Sequence, residues 1–167
     1  FLLGLVVMYL FTITLVTATA AMTLVAAGVL YKAYTGVYFF IDSEIPIAVF
    51  LGLHLLVTDP STSPRSPFGK VIFGILYGLG VLALYAILRS WGVPLFYDKL
   101  LAVPLLNLSV RVIDRFAARF LDSITLETDG IRVVPRRLNL AHMGIWVAFF
   151  VGTSMMGAFG DTHAGHN

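Results

Sequence analysis

The chain contains no cysteine, which excludes disulfides, thiolate-ligated iron–sulfur clusters and Cys-type zinc sites within it. Charge is scarce as well: Asp, Glu, Lys and Arg make up 12% of the 167 residues, about half the roughly 25% usual for soluble domains. A globule of this size with so few polar groups could not cover its own core. That excludes a soluble enzyme, a disordered tail and a nucleic-acid-binding module. Catalytic signatures are missing too. There is no Gly-x-Ser-x-Gly elbow, no His-Glu-x-x-His pair and no glycine-rich nucleotide loop. What remains is apolar: 59% hydrophobic residues and a mean hydropathy of +0.92. The composition is that of an integral membrane protein.

A helix needs about 20 apolar residues to cross a bilayer, because every backbone group must be satisfied internally. Phe1 to Leu30 carries no charge and reads as one tilted or broken helix. Its Thr12, Thr14, Thr17, Thr19 and Thr23 can bond back to their own helix carbonyls. Further spans are read near 45–58, 71–88, 100–113 and 139–159. The glycines Gly74, Gly78 and Gly80 are suited to close helix approach, and a bend is expected near Pro104. Between spans, Thr58–Gly69 is a polar loop held extended by three prolines. Arg89–Lys99 is a short loop. Arg111, Asp114, Arg115 and Arg119 lie at helical spacing, suited to pairing along one face. Ile124–Pro135 alternates around Asp129-Gly130, a hairpin signal.

The fold class expected is therefore all-α integral membrane: a polytopic bundle of about five transmembrane helices with a short cytoplasmic β-hairpin. Its parts are a helical domain over 1–121, the hairpin over 122–137, a last span over 138–159 and a polar tail over 160–167. Basic residues set the orientation. Arg65, Lys70, Arg111, Arg115, Arg119, Arg132, Arg136 and Arg137 fall on one side, and Lys32, Arg89 and Lys99 on the other. This puts loops 59–70 and 114–138 in the cytoplasm, with the tail outside a bacterial inner membrane. The start at Phe1 suggests a piece of a longer polypeptide.

Several polar groups qualify as sites. Thr58, Asp59, Ser61, Thr62, Ser63 and Arg65, with Ser66 and Lys70 nearby, have the hydroxyl and basic groups of a phosphate cradle. Asp59 reads equally as a cap that orders the loop. Asp42 and Glu44 are either a relay at membrane depth or solvated loop residues. Asn107 and Arg111 read first as glue between helices. His54 and His142 sit at depths compatible with haem ligation, yet only Gly52 and Gly144 accompany them, and hydrogen-bonded histidines are the simpler reading. His163 and His166, near Asp161, could chelate a metal, or belong to a plain tail.

An ordered set of short matches between His54 and Asp114 resembles a known family. Thr58-Asp59-Pro60 closes an apolar run and leads through Ser63-Pro64 to Gly69-Lys70. Ile72-Phe73-Gly74 opens the next helix, Arg89 precedes Trp91-Gly92, and Asn107 stands before Arg111 and Asp114. This stretch is similar to the D subunit of the Rnf electron-transport complex and the B subunit of the sodium-translocating NADH:quinone oxidoreductase. The tail pieces Ala141-His142-Met143-Gly144 and Gly160-Asp161-Thr162-His163 resemble Rnf-D-like bacterial proteins labelled as enediyne-biosynthesis UnbU.

The resemblance implies a membrane subunit of a multi-subunit redox complex, itself non-catalytic or part of an oxidoreductase, associated with FMN or riboflavin or with quinone. The partners implied are further membrane subunits and lipids. In that family FMN is esterified to a threonine of a Ser/Thr-Gly-Ala-Thr motif, and residues 1–57 hold no such tetrapeptide. Gly92-Val93-Pro94-Leu95-Phe96-Tyr97 replaces a family turn, Arg111 replaces a family proline, and the hairpin and last span are additional. A cofactor-free scaffold subunit and an ion or proton pathway through Asp42, Glu44 and Asp59 therefore stand as alternatives.

Overall fold

A computed structural model describes residues 2–11, 14–37, 39, 63–93, 97–122 and 136–155. Five helices account for nearly all of them: α1 (Leu2–Phe11), α2 (Thr14–Thr35), α3 (Pro67–Ser90), α4 (Tyr97–Asp122) and α5 (Arg136–Met155). No strand occurs among the described residues. Among the described residues, three helices are long and apolar enough to cross a membrane: Thr14–Thr35, Pro67–Ser90 and Arg137–Met155. The charge-free run at the start is thus two helices, of which the second is long enough to span.

Local chemistry sets the helix ends. Ser66 caps α3, its hydroxyl accepting from the Gly69 N–H at 2.9 Å, and Pro67 occupies the first turn, where no N–H is missed. At the other end Gly92 takes φ +66°, which favours glycine. There the Val93 N–H bonds the Leu88 carbonyl at 3.0 Å and the Gly92 N–H bonds that of Arg89 at 3.2 Å. These two bonds close the helix as a Schellman motif. Arg89, read from sequence as a loop residue, therefore lies in the last turn of α3. Gly36, at φ +76°, ends α2 in the simpler way, donating to the Lys32 carbonyl at 2.8 Å. Helix α4 runs through Pro104 as a single element.

The core centres on the α2–α3 contact. Gly74 and Gly78, four residues apart, bring the α3 backbone against α2. A Cβ on Gly74 would sit 2.7 Å from the Val16 carbonyl oxygen, and one on Gly78 would sit 3.0 Å from that of Ala20. Small residues at this spacing allow helices to meet where lipid offers no hydrophobic driving force. Gly80 has open space around it and takes no part, contrary to the sequence expectation. Thr19 and Thr23 satisfy their hydroxyls on the Leu15 and Thr19 carbonyls, both at 2.7 Å, so neither needs a partner across the interface. Phe73, Tyr77, Val81, Trp146 and Phe150 complete the core.

Because Val16 faces Gly74 and Thr23 faces Gly78, α2 and α3 run in the same direction. Helix α4 returns along α3, and Asp114 on α4 reaches the Arg65 backbone at the start of α3. Asn139, near the start of α5, bonds Thr14 at the start of α2. One end of the bundle thus collects the beginnings of α2, α3 and α5 with the second half of α4. Arg65, Lys70, Arg111 and Arg115 belong to that end, and Lys32 and Arg89 to the opposite one, which is the grouping read from sequence.

Other expectations divide. Helix α4, which contains the expected 100–113 span, is not among the three helices apolar enough to cross, because its charges interrupt the apolar run. The 45–58 span, Asp42, Glu44, His54, and the tail with Asp161, His163 and His166 lie outside the described residues. So does the centre of the hairpin; its ends do not, since Asp122 closes α4 and Arg136 and Arg137 open α5.

Candidate functional site: a basic groove at one end of the bundle

The polar chemistry at the shared end converges on a groove between the α3 cap and α4. Ser63, Arg65 and Ser66 form one wall. Arg111, Asp114 and Arg115 form the other, with Val110 and Ala118 beside them, around a volume of about 690 Å³. The loop segment is fixed from two directions. Asp114 accepts the Arg65 backbone N–H through Oδ1 at 3.1 Å, a charge-assisted bond stronger than a neutral one. Within the segment, Ser66 caps the helix and Ser63 and Pro64 are buried. Gly69 is required where these parts meet. A Cβ there would lie 2.8 Å from Ser66 Oγ and 3.2 Å from Asp114 Oδ1.

Of the six residues proposed from sequence as a phosphate cradle, Ser63 and Arg65 line this groove. Thr58, Asp59, Ser61 and Thr62 lie outside the described residues. The helical spacing of Arg111 and Arg115 suits pairing with Asp114 along α4. Instead Asp114 turns to the Arg65 backbone, and none of the three groove arginines forms an ion pair among the described residues. Three arginines and one aspartate line the groove, a surplus of positive charge that suits an anion bearing phosphate oxygens.

Asn107, read from sequence as glue between helices, keeps its buried Oδ1 without a hydrogen bond among the described residues. That role falls to Asn139, which reads from sequence only as the start of a span. Asn139 is 2% exposed. Its Oδ1 accepts from the Thr14 hydroxyl at 2.6 Å, and its Nδ2 donates to the Met8 carbonyl at 3.1 Å. Met8 belongs to the last turn of α1, whose carbonyls lack partners within that helix. One amide thus joins α1, α2 and α5. The available signal is a lone amide at the head of an otherwise apolar run.

His142, half-buried on α5, keeps its Nδ1 without a hydrogen bond among the described residues. No cluster of three metal-ligating side chains occurs among the described residues. The Ser/Thr-Gly-Ala-Thr tetrapeptide that the resemblance implies for a covalent flavin does not occur among the 167 residues, so the residues present do not fit that attachment.

The family model described as NQR2, RnfD, RnfE matches residues 1–121. The D subunit of the ion-translocating oxidoreductase complex of Cellvibrio japonicus (strain Ueda107) is 36% identical over 90 residues, covering 54% of this chain and 22% of that protein. The chain thus spans about a fifth of the length of this curated relative. No solved structure matches.

Proposed function

The chain belongs to the NQR2, RnfD, RnfE family, and on that premise we propose that it serves as a membrane subunit of a multi-subunit, ion-translocating electron-transport complex. The observation that carries this reading is the match over residues 1–121, which takes in α1 to α3 and nearly all of α4. The bundle is suited to a supporting part in such an assembly. It supplies closely packed helices, a low-dielectric interior and a basic end. A flavin or quinone held by the assembly would carry the electrons, while the protein sets orientation and dielectric.

The placement proposed is a bacterial inner membrane with the basic end in the cytoplasm, following the distribution of arginine and lysine. In that placement α4 crosses beside α3 despite its charged second half. Asp114 stands level with the α3 cap, so Tyr97 to Ile113 covers about 25 Å at 1.5 Å per residue, close to the ~30 Å hydrocarbon core.

The test is isolation of the full-length protein from native membranes in mild detergent, followed by cross-linking and mass spectrometry. Co-purification with further integral membrane proteins at fixed stoichiometry is expected. A chain that elutes alone from gently solubilised membranes would refute the reading. A cofactor-free scaffold is the second reading. It predicts the same partners with no flavin on this chain.

A further inference from the structure

The groove described above adjoins a second feature that the family assignment does not use. Leu101, Leu105, Leu108, Val112 and Phe116 follow one another at spacings of three and four along α4 and are all exposed, Leu108 to 81%. Residues so spaced form one stripe of a helix. Arg111 and Arg115 stand one residue before Val112 and Phe116, between this stripe and the groove wall that includes Asp114 and Ala118. Charge and apolar surface are therefore continuous around the helix, with arginine at the seam.

Depth agrees with this arrangement. The groove sits at the first residues of α3, where that membrane-spanning helix begins, and hence at the level of lipid headgroups. From Arg111 back to Leu101 the helix descends ten residues, about 15 Å, half of the ~30 Å hydrocarbon thickness and so one leaflet. A ligand with an anionic head at the groove and an apolar body along Leu108, Leu105 and Leu101 would match both. Basic pockets at helix ends recognise lipid headgroups by this combination. A free flavin phosphate matches less well, because among the described residues no aromatic side chain lines the groove to stack its ring.

The geometry points to a specific site for an anionic glycerophospholipid: its phosphate sits among Arg65, Arg111 and Arg115, and its acyl chains lie along the Leu101–Phe116 stripe. Asp114 orders the site by holding the Arg65 backbone, and Ser63 and Ser66 supply hydroxyls at the same wall. The site depends on membrane placement and not on the redox role proposed above. A cofactor-free scaffold would keep it.

The experiment is native mass spectrometry of the full-length protein in mild detergent, titrated separately with dioleoylphosphatidylglycerol and dioleoylphosphatidylcholine. Phosphatidylglycerol is expected to form adducts at clearly lower concentration. The double variant Arg111→Gln/Arg115→Gln should bind it roughly twenty-five-fold more weakly, about fivefold for each near-surface arginine, with phosphatidylcholine binding unchanged. Equal binding of the two lipids by the wild-type protein, or unchanged phosphatidylglycerol binding by the variant, would overturn the site. Full displacement by millimolar inorganic phosphate or by FMN would overturn the lipid assignment in favour of a soluble phosphate ligand. Should the glutamine variant fail to fold, Arg111→Lys/Arg115→Lys keeps the charge. It is expected to retain phosphatidylglycerol preference, and its loss would count against the site.

Discussion

Replacing Asn139 with leucine tests the internal architecture most sharply. The side chain is buried and joins two other helices, accepting from Thr14 at 2.6 Å and donating to the Met8 carbonyl at 3.1 Å. Leucine of similar volume removes both bonds and leaves a hydroxyl and a last-turn carbonyl stranded. Hydrogen bonds between membrane helices average about 0.6 kcal/mol and reach about 1.7, while a stranded buried polar group costs about 1–3 kcal/mol. The carbonyl has the fewer alternatives, because the Thr14 hydroxyl can turn toward another acceptor. A loss of about 2 kcal/mol is expected for Asn139→Leu. Thr14→Val keeps the Met8 bond and should cost about 1 kcal/mol or less. Unfolding by denaturing detergent, followed through tryptophan fluorescence, measures both. Only two tryptophans are present, and Trp146 is fully buried while Trp91 is 73% exposed, so the signal reports the core around α5. The cycle with the double variant should give a positive coupling between positions 14 and 139. An Asn139→Leu protein as stable as wild type, or a coupling of zero, would refute the reasoning.

Four further outcomes follow from the same structure. Gly74→Ala should destabilise by about 1–3 kcal/mol through overpacking against Val16 and Ala20 of α2. Gly80→Ala, in open space, should leave the unfolding midpoint unchanged or slightly raised. Removing the cap by Ser66→Ala should cost about 1 kcal/mol, read by the same fluorescence assay. Asp114→Ala frees the Arg65 amide, whose hydrogen exchange should speed up while exchange in the middle of α3 stays slow. Unchanged exchange at Arg65 would show that Asp114 does not hold the loop.

Much of the bundle is legible from composition because the membrane imposes so few options. A charge-free run reads as helix, whereas Ser66 and Pro67, read from sequence as part of an extended loop, are the cap and first turn of α3. The ends are less legible. Lys32 and Arg89 read as charges outside the spans, although both sit in last turns where a cation complements the helix dipole. Which glycines matter cannot be read from spacing, since Gly74 and Gly80 look alike until the partner face of α2 is known. The site is half visible. Ser63 and Arg65 stand out in the loop, but their joining to Arg111 and Arg115 depends on α4 folding back on α3. The contact from Asp114 to the Arg65 backbone spans 49 residues of sequence, and no local pattern encodes it. Asn139 escapes notice because a single polar residue at a span boundary resembles an ordinary interface residue.

The central claim is membership of a working redox assembly, and a reduced-minus-oxidised absorbance spectrum of the full-length protein purified with its native neighbours tests it most directly. Flavin fluorescence of each band after denaturing electrophoresis would then locate any covalent cofactor. A reversible redox difference in the intact assembly is the expected result, whether the flavin travels with this chain or with a neighbour. An assembly that is complete, stable and spectroscopically silent on reduction and reoxidation would contradict the account.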